Sequence, residues 1–358
     1  MGCLTGRWCV LAAVLAAACG CAAVPTVFDP ASAGIQPDPL PAHPEKGPFL
    51  FCYFLGNGDG LHLAASQDGL QFAPIGGANK IFLTPTIGVN IDGSTKDNHL
   101  MRDPCMRQGL DGMYHLVWTT GWYQYGFGTA SSPDLTHWSQ QQFVEVMKFE
   151  PKTANTWAPE LFYDDQKGQW MVFWASTIAG KFPATDPPAG EGDRMALNGA
   201  SVGLNHRIYY TTTRDFKTWA DARLLYDPGF NCIDATIAKM PDGRYIMVLK
   251  DETKVPVAKK NLRMATADTP EGPWSKASDP ISKGDTWVEG PTINRVNDAW
   301  YVYYDEYINH KYGAIKTTDF KTWDLVQGDF SVPTGSRHGT VFPTTQAVID
   351  RLKKENPG

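Results

Sequence analysis

Four carboxylates stand in short segments that pair an acid with proline, glycine or alanine: Arg102-Asp103-Pro104, Trp157-Ala158-Pro159-Glu160, Ile233-Asp234-Ala235 and Val288-Glu289-Gly290-Pro291. A fifth segment of the same kind opens with Arg337-His338. Asp103, Asp234 and Glu289 occupy matching places at the start of their segments. Paired carboxylates suit general acid–base chemistry, one ionised to accept a proton and one protonated to give it up. A third carboxylate nearby disfavours ionisation of its neighbour and keeps an acid protonated near neutral pH. A lone acid on a surface turn has a structural reading; three at matching places in separate repeats favour a functional one.

The elements that must hold these acids repeat along the chain. Each acid-bearing segment is followed by an alternating stretch rich in aromatic and β-branched residues: MYHLVWTT (113–120), QWMVFWAST (169–177), RYIMVLKDE (244–252) and AWYVYYDEY (299–307). Such stretches are strand formers, and three follow the turn dipeptides Asp111-Gly112, Lys167-Gly168 and Asp242-Gly243. A turn then carries an Asp with an aromatic four places on: Asp68 to Phe72, Asp134 to Trp138, Asp215 to Trp219 and Asp319 to Trp323, with a looser copy from Asp268 to Trp274. The Asp caps the turn, and the aromatic can pack between neighbouring units. Five all-β units predict a five-bladed β-propeller over 48–358. The first unit has its second strand, PFLFCYF (48–54), but lacks an acid-type first strand; RHGTVFPTT (337–345) supplies it from the other end of the chain. One blade is thus expected to combine both ends, closing the ring and removing open sheet edges. A β-sandwich would not explain why the missing piece turns up at the C-terminus. The first strands should line a central channel, with their N-terminal ends at one mouth. Residues 178–207 form a long Gly/Pro-rich insertion, and 344–355 suggest a short outer helix.

Composition sets outer bounds. The chain has 358 residues, 42% of them hydrophobic and 20% charged, which is globular and ample for a buried core. A net charge of −6 argues against nucleic acid or an anionic membrane surface as partner. Twelve Trp and abundant Gly and Pro are common in carbohydrate-binding folds. Residues 1–23 read as an export signal: Arg7 precedes the apolar run WCVLAAVLAAACGCAA, too short to span a bilayer and ending in small residues. Cys19 offers a lipoprotein-type cleavage and lipidation site, against ordinary cleavage near Ala18 or Ala23. Residues 24–47 are Pro-rich, an extended spacer. Cys52, Cys105 and Cys232 lack framework or metal spacing and are expected as buried thiols.

On these motifs the chain resembles glycoside hydrolase family 43, whose members include arabinofuranosidases, β-xylosidases and arabinanases on five-bladed propellers. The resemblance covers nearly all of the mature chain, and the order Asp, Trp-Ala-Pro-acid, Ile-Asp, Glu-Gly-Pro, His carries it. It implies an inverting mechanism with Asp103 as general base, Glu289 as general acid, and Asp234 orienting the acid and raising its pKa. It also places His338 near a central metal or its waters, and Arg337 near substrate. A calcium ion is implied by resemblance only, since no cluster here has tight metal-ligand spacing; no cofactor is required. A structural His338 remains open, as does a core role for Trp157 against stacking on a sugar face. Glu160, where many relatives have Asp, either binds a sugar hydroxyl or braces Arg102 or Arg337; bracing is favoured.

Arg102 departs from many relatives. Arg-Asp-Pro also resembles the fructan-cleaving propellers of family 32, but their Asn-Asp-Pro nucleophile and Glu-Cys acid have no counterpart, because Gly290 follows Glu289. A phosphorylase would need a basic cluster for phosphate, and the sequence displays none that is convincing. No Gly-x-Ser-x-Gly, Walker loop, dinucleotide fingerprint or zinc pattern is present. The expectation is an exported, exo-acting α-L-arabinofuranosidase on plant polysaccharide side chains or oligosaccharides, with a β-xylosidase as the nearest variant. The insertion, by closing one end of the cleft, would favour exo action. The reading from another class is a non-catalytic carbohydrate-binding propeller, which the presence of all three acids disfavours.

Overall fold

The structure, a computed structural model, describes residues 34–358 apart from Asp329; the expected export signal, Cys19 and the first part of the spacer lie outside the described residues. Five antiparallel sheets form the blades of a propeller. Blade I is Arg102–Gln108, Tyr114–Thr119, Phe127–Ser132 and Gln142–Val144. Blade II is Trp157–Asp164, Gln169–Ser176, Arg207–Thr213 and Arg223–Tyr226. Blade III has three strands, Cys232–Lys239, Tyr245–Asp251 and Asn261–Ala267. Blade IV is Glu289–Val296, Ala299–Glu306, Lys311–Thr317 and Asp324–Leu325. Blade V joins the C-terminal strand Arg337–Pro343 to Phe49–Phe54, His62–Ser66 and Ala73–Pro74, the two-ended closure expected from the sequence.

The turn motif explains how the blades stack. In Asp134, Asp215 and Asp319 one carboxylate oxygen accepts the backbone N–H groups two and three residues on, at 2.8–2.9 Å. The preceding Ser132, Thr213 or Thr317 hydroxyl accepts a third N–H, from Leu135, Phe216 or Phe320, each in left-handed backbone geometry. The aromatic that follows enters a core between blades. Phe72, Trp138, Trp219, Trp274 and Trp323 each enter a different one of five apolar clusters, and each cluster joins two neighbouring blades. Burying that much aromatic surface between sheets is the main driving force for ring assembly.

Two segments dock on this ring. The helix Gln346–Glu355, capped by Thr345, buries Val348, Ile349 and Leu352 against the core shared by blades V and I. The extended segment 34–47 is tied down: the Asp38 carboxylate meets Arg351 at 2.7 Å, and its carbonyl accepts from Gln108 at 2.9 Å. The insertion runs from 177 to 206 in blade II, because Arg207 already belongs to the third strand. It is built rather than loose. It contains a hairpin, Arg194–Leu197 with Ala200–Gly203, buries Met195, Leu197 and Leu204, and is pinned by Asn205 to Asp186 at 2.7 Å. Cys52, Cys105 and Cys232 are buried free thiols, as expected.

Candidate active site

Each of the five innermost strands carries the same β-bulge near its N-terminal end. Two residues oppose one on the neighbouring strand between Arg102 and Cys105, Trp157 and Glu160, Ile233 and Thr236, and Glu289 and Thr292, and likewise at His338-Gly339. A bulge re-aims the side chains beside it. Here it stacks three five-membered rings around the channel. The outer ring is Arg102, Trp157, Ile233, Glu289 and Arg337. The middle ring is Asp103, Ala158, Asp234, Gly290 and His338, and its first four members have positive φ of 48–59°. The inner ring is Cys105, Glu160, Thr236, Thr292 and Thr340, every one buried.

This register corrects the sequence reading. Asp103 and Asp234 are equivalent, but Glu289 lies one place earlier, beside Gly290. Glu160 lies two places beyond the Asp103 position. It is 3% exposed and lies beneath the residues that line the pocket. Its neighbours are Thr236 and Thr340 at 3.4 Å and Arg107 at 3.9 Å, so it braces Arg107 rather than Arg102 or Arg337. Burial raises its pKa, against the pull of Arg107. The bulge accounts for these shifts: one residue of offset turns a strand side chain to the other face, and the sequence does not show where the offset falls.

All the outer ring lines one cavity of about 550 Å³ at the channel mouth, together with Asp103, Asp234 and His338 of the middle ring. A cavity of this size suits a small ligand. His338 joins the two aspartates: its Nδ1 is 3.3 Å from Asp103 and 3.8 Å from Asp234. Asp103 also accepts from Thr119 Oγ1 at 2.8 Å, and Asp234 from the Gly290 N–H at 3.0 Å. Burial alone would push Asp103 up, but the hydrogen bond and charge of His338, with Arg102 and Thr119, hold it at about 2. Burial dominates at Asp234 and lifts it to about 6, with the Glu289 and Asp103 charges adding to the rise. Burial works to lower His338, yet Asp234 and Asp103 raise it to about 9, so the imidazolium bridges two carboxylates. Gly290 makes room for that ring, since a Cβ there would sit 2.4 Å from His338 Cγ.

Glu289 has different company. One carboxylate oxygen meets Arg337 Nη2 at 3.0 Å and the other meets Lys250 Nζ at 3.1 Å. Arg337 is held from behind by Asp305 at 2.6 Å, whose same oxygen accepts the His338 N–H. Trp157 is half-buried at the rim, edge-on to Trp122, with its indole N–H donated to the Trp122 carbonyl at 3.0 Å. Among the described residues no group of three or more His, Cys, Asp or Glu is arranged to hold a metal. His338, the residue the resemblance sets near a metal, turns its Nδ1 to Asp103 at 3.3 Å and Asp234 at 3.8 Å.

Several lining residues escaped the sequence reading. Lys250 is 1% exposed and paired with Glu252 at 2.7 Å as well as Glu289. Lys260 pairs with Glu252 and with Asp193 of the insertion, and Lys254 pairs with Asp193 at 2.5 Å. Trp287 and Tyr307 complete that wall. Five cationic side chains, Arg102, Lys250, Lys254, Lys260 and Arg337, therefore converge on the pocket, which corrects the reading that no basic cluster exists. One signal was present. Lys250 and Asp305 each stand one place before the end of a largely apolar strand, opposite Ile233 and Glu289 of the outer ring.

The comparisons with known proteins follow this geometry. A family model described as a probable glycosyl hydrolase domain, related to glycoside hydrolase family 43, matches residues 45–350. An α-L-arabinofuranosidase of Bifidobacterium longum is 25% identical over 203 residues, 49% of this chain and 18% of that protein. The chain thus spans less than a fifth of the curated relative it matches. Among solved structures, an α-L-arabinofuranosidase from Lactobacillus brevis has a TM-score of 0.48 at 17% identity, covering 68% of this chain and 90% of that one. A xylan β-1,4-xylosidase from Bacillus halodurans has a TM-score of 0.45 at 19% identity, covering 64% and 42%.

Proposed function

The chain belongs to the glycosyl hydrolase family related to glycoside hydrolase family 43, and from that premise we propose that it is an exported, inverting, exo-acting α-L-arabinofuranosidase on plant polysaccharide side chains or oligosaccharides. The observation that carries the reading is the meeting of Asp103 and Glu289 in one pocket from blades I and IV. Asp103, held ionised by His338 and Thr119, takes a proton from the attacking water. Glu289 gives a proton to the leaving oxygen; its ion pairs with Arg337 and Lys250 oppose the protonated form, and the neighbouring Asp234 carboxyl, lifted by burial to about 6, is the group that can supply the proton. Asp234 binds the Gly290 N–H and so fixes the backbone of the residue after the acid. Arg337, braced by Asp305, holds Glu289 in place and offers donors to a sugar hydroxyl. Rigid strands on separate blades keep these groups at fixed spacing better than one loop would. The named activity of the Bifidobacterium relative favours arabinofuranose; a β-xylosidase is the nearest variant, since both sugars present similar hydroxyls.

The test is hydrolysis of aryl α-L-arabinofuranoside, β-D-xyloside, β-D-galactoside and β-D-fructofuranoside by the protein and by Asp103→Asn. Release of arabinose, reduced about 10²–10⁴-fold in the variant, supports the proposal. Preference for xyloside moves the substrate and keeps the mechanism. Equal rates in both proteins sink the assignment of Asp103.

A further inference from the structure

The outer ring holds two arginines at equivalent positions on adjacent blades, and their surroundings differ. Arg337 is neutralised twice, by Asp305 at 2.6 Å and Glu289 at 3.0 Å. Lys250, Lys254 and Lys260 are likewise each paired with a carboxylate. Arg102 has no carboxylate within 4.0 Å among the described residues. Its one polar side-chain contact there is Nη1 to the Asn57 side-chain carbonyl at 3.2 Å. The guanidinium lies 4.8 Å from the Phe54 ring centre and 4.4 Å from that of Trp122. The neighbouring Asp103 carboxylate is already engaged by His338 and Thr119.

The Phe54 and Trp122 rings flank the half-buried Arg102 guanidinium and narrow its freedom, while its donors line the pocket. Arg102 helps keep the adjacent Asp103 ionised, yet its own donors make no salt bridge among the described residues, and a planar fork is matched by a carboxylate. We propose that Arg102 is an anion-recognition site, and that the substrate carries a sugar carboxylate, a hexuronic acid unit beside the sugar that is released. The proposal rests on the glycosidase reading above and narrows its substrate class to acidic oligosaccharides. The cavity's 550 Å³ leaves room for more than one pentose unit.

The experiment uses two oligosaccharides that differ only in a hexuronic acid unit, native in one and carboxyl-reduced in the other. The ratio of their kcat/KM values should favour the acidic one by about 10- to 100-fold, the worth of one charged hydrogen bond. That ratio should narrow as salt is raised. In Arg102→Met, which keeps an apolar stem against the rings, it should approach one, while Arg102→Lys keeps part of it. A wild-type ratio near one, or a ratio unchanged in Arg102→Met, overturns the proposal and leaves Arg102 a binder of neutral hydroxyls. If neither compound is cleaved, calorimetric binding to Glu289→Gln reads the same ratio, and binding of both equally or of neither overturns it. The aryl glycoside panel reports separately on the glycosidase reading. Aryl turnover without acidic preference defeats the anion site alone; acid-selective binding with no turnover of any glycoside defeats the glycosidase reading alone.

Discussion

Asp103 and Glu289 sit in one pocket, yet their partners set them different tasks. Asp103 is bound by a charged imidazole and a hydroxyl, Glu289 by two cations. Removing each should therefore leave different kinetic traces. Asp103→Asn should slow every substrate, because water must be activated whatever departs. Glu289→Gln should cost little with an activated aryl leaving group and about 10²–10⁴-fold with an alkyl sugar, which needs its proton. Equal losses on both substrates would show that Glu289 is not the proton donor. His338 gives a pH prediction with a definite sign. Its folded value, about 9, lies above the ordinary 6.5, so its pairing with Asp103 stabilises fully below 6.5 and is lost as pH rises through 9. The thermal midpoint should fall across that window more steeply in the wild type than in His338→Gln; parallel curves would refute the bridge. Asp103 acts in the opposite sense, its contribution being lost only as pH drops through about 2.

At the scale of the element, the bulge and the Asp turn do most of the positioning. Gly290 stands in the middle ring with φ of +59°, and its missing side chain is the space His338 fills. Gly290→Ala should strain the backbone by about 1–2 kcal/mol and displace the imidazole. Calorimetry should record the loss, and the pH dependence assigned to His338 should fade with it; an unchanged pH profile would show that the ring tolerates the move. The turn aromatics are the second device. Trp323, 5% exposed, packs in the core shared by blades III and IV. Trp323→Ala should cost about 3–5 kcal/mol in unfolding experiments. Little change in the denaturation midpoint would mean that the blades are held by something other than these inserts. Asp turns and their aromatics were legible in the sequence because turn chemistry is local. The bulge was not, because its position is defined by what lies opposite on another strand.

At the scale of the whole molecule, ring closure depends on one strand. Arg337–Pro343 pairs with Phe49–Phe54 and brings Arg337, His338 and Thr340 into the three rings at once. Without it, blade V loses its innermost strand and the site loses the partner of both aspartates and of Glu289. A chain ending at residue 335 should lose its cooperative thermal transition and its activity together, and a peptide of 336–358 added back should restore both by strand addition. A truncated chain that keeps a sharp transition near the wild-type midpoint would count against closure as the source of stability. Segment 34–47 and the C-terminal helix meet at Asp38 and Arg351, so the two ends of the described chain are also joined outside the ring.

The sequence by itself determined what is local and repeated. Strand periodicity, turn residues and the recurrence of three markers are properties of neighbouring positions, and they were enough to name a five-bladed ring and to bring Asp103, Asp234 and Glu289 to one mouth; the family resemblance added Arg337 and His338. Tertiary structure alone decided how they meet. It placed Glu289 one position out of register with the aspartates and buried Glu160 beneath them. It put Lys250 and Arg337 rather than a third carboxylate against Glu289, and left Arg102 as the pocket cation outside any salt bridge among the described residues. The physical reason is the same in each case. Charge pairing depends on distances of three or four ångströms between residues tens to hundreds of positions apart, and those distances exist only once five blades have closed around one axis.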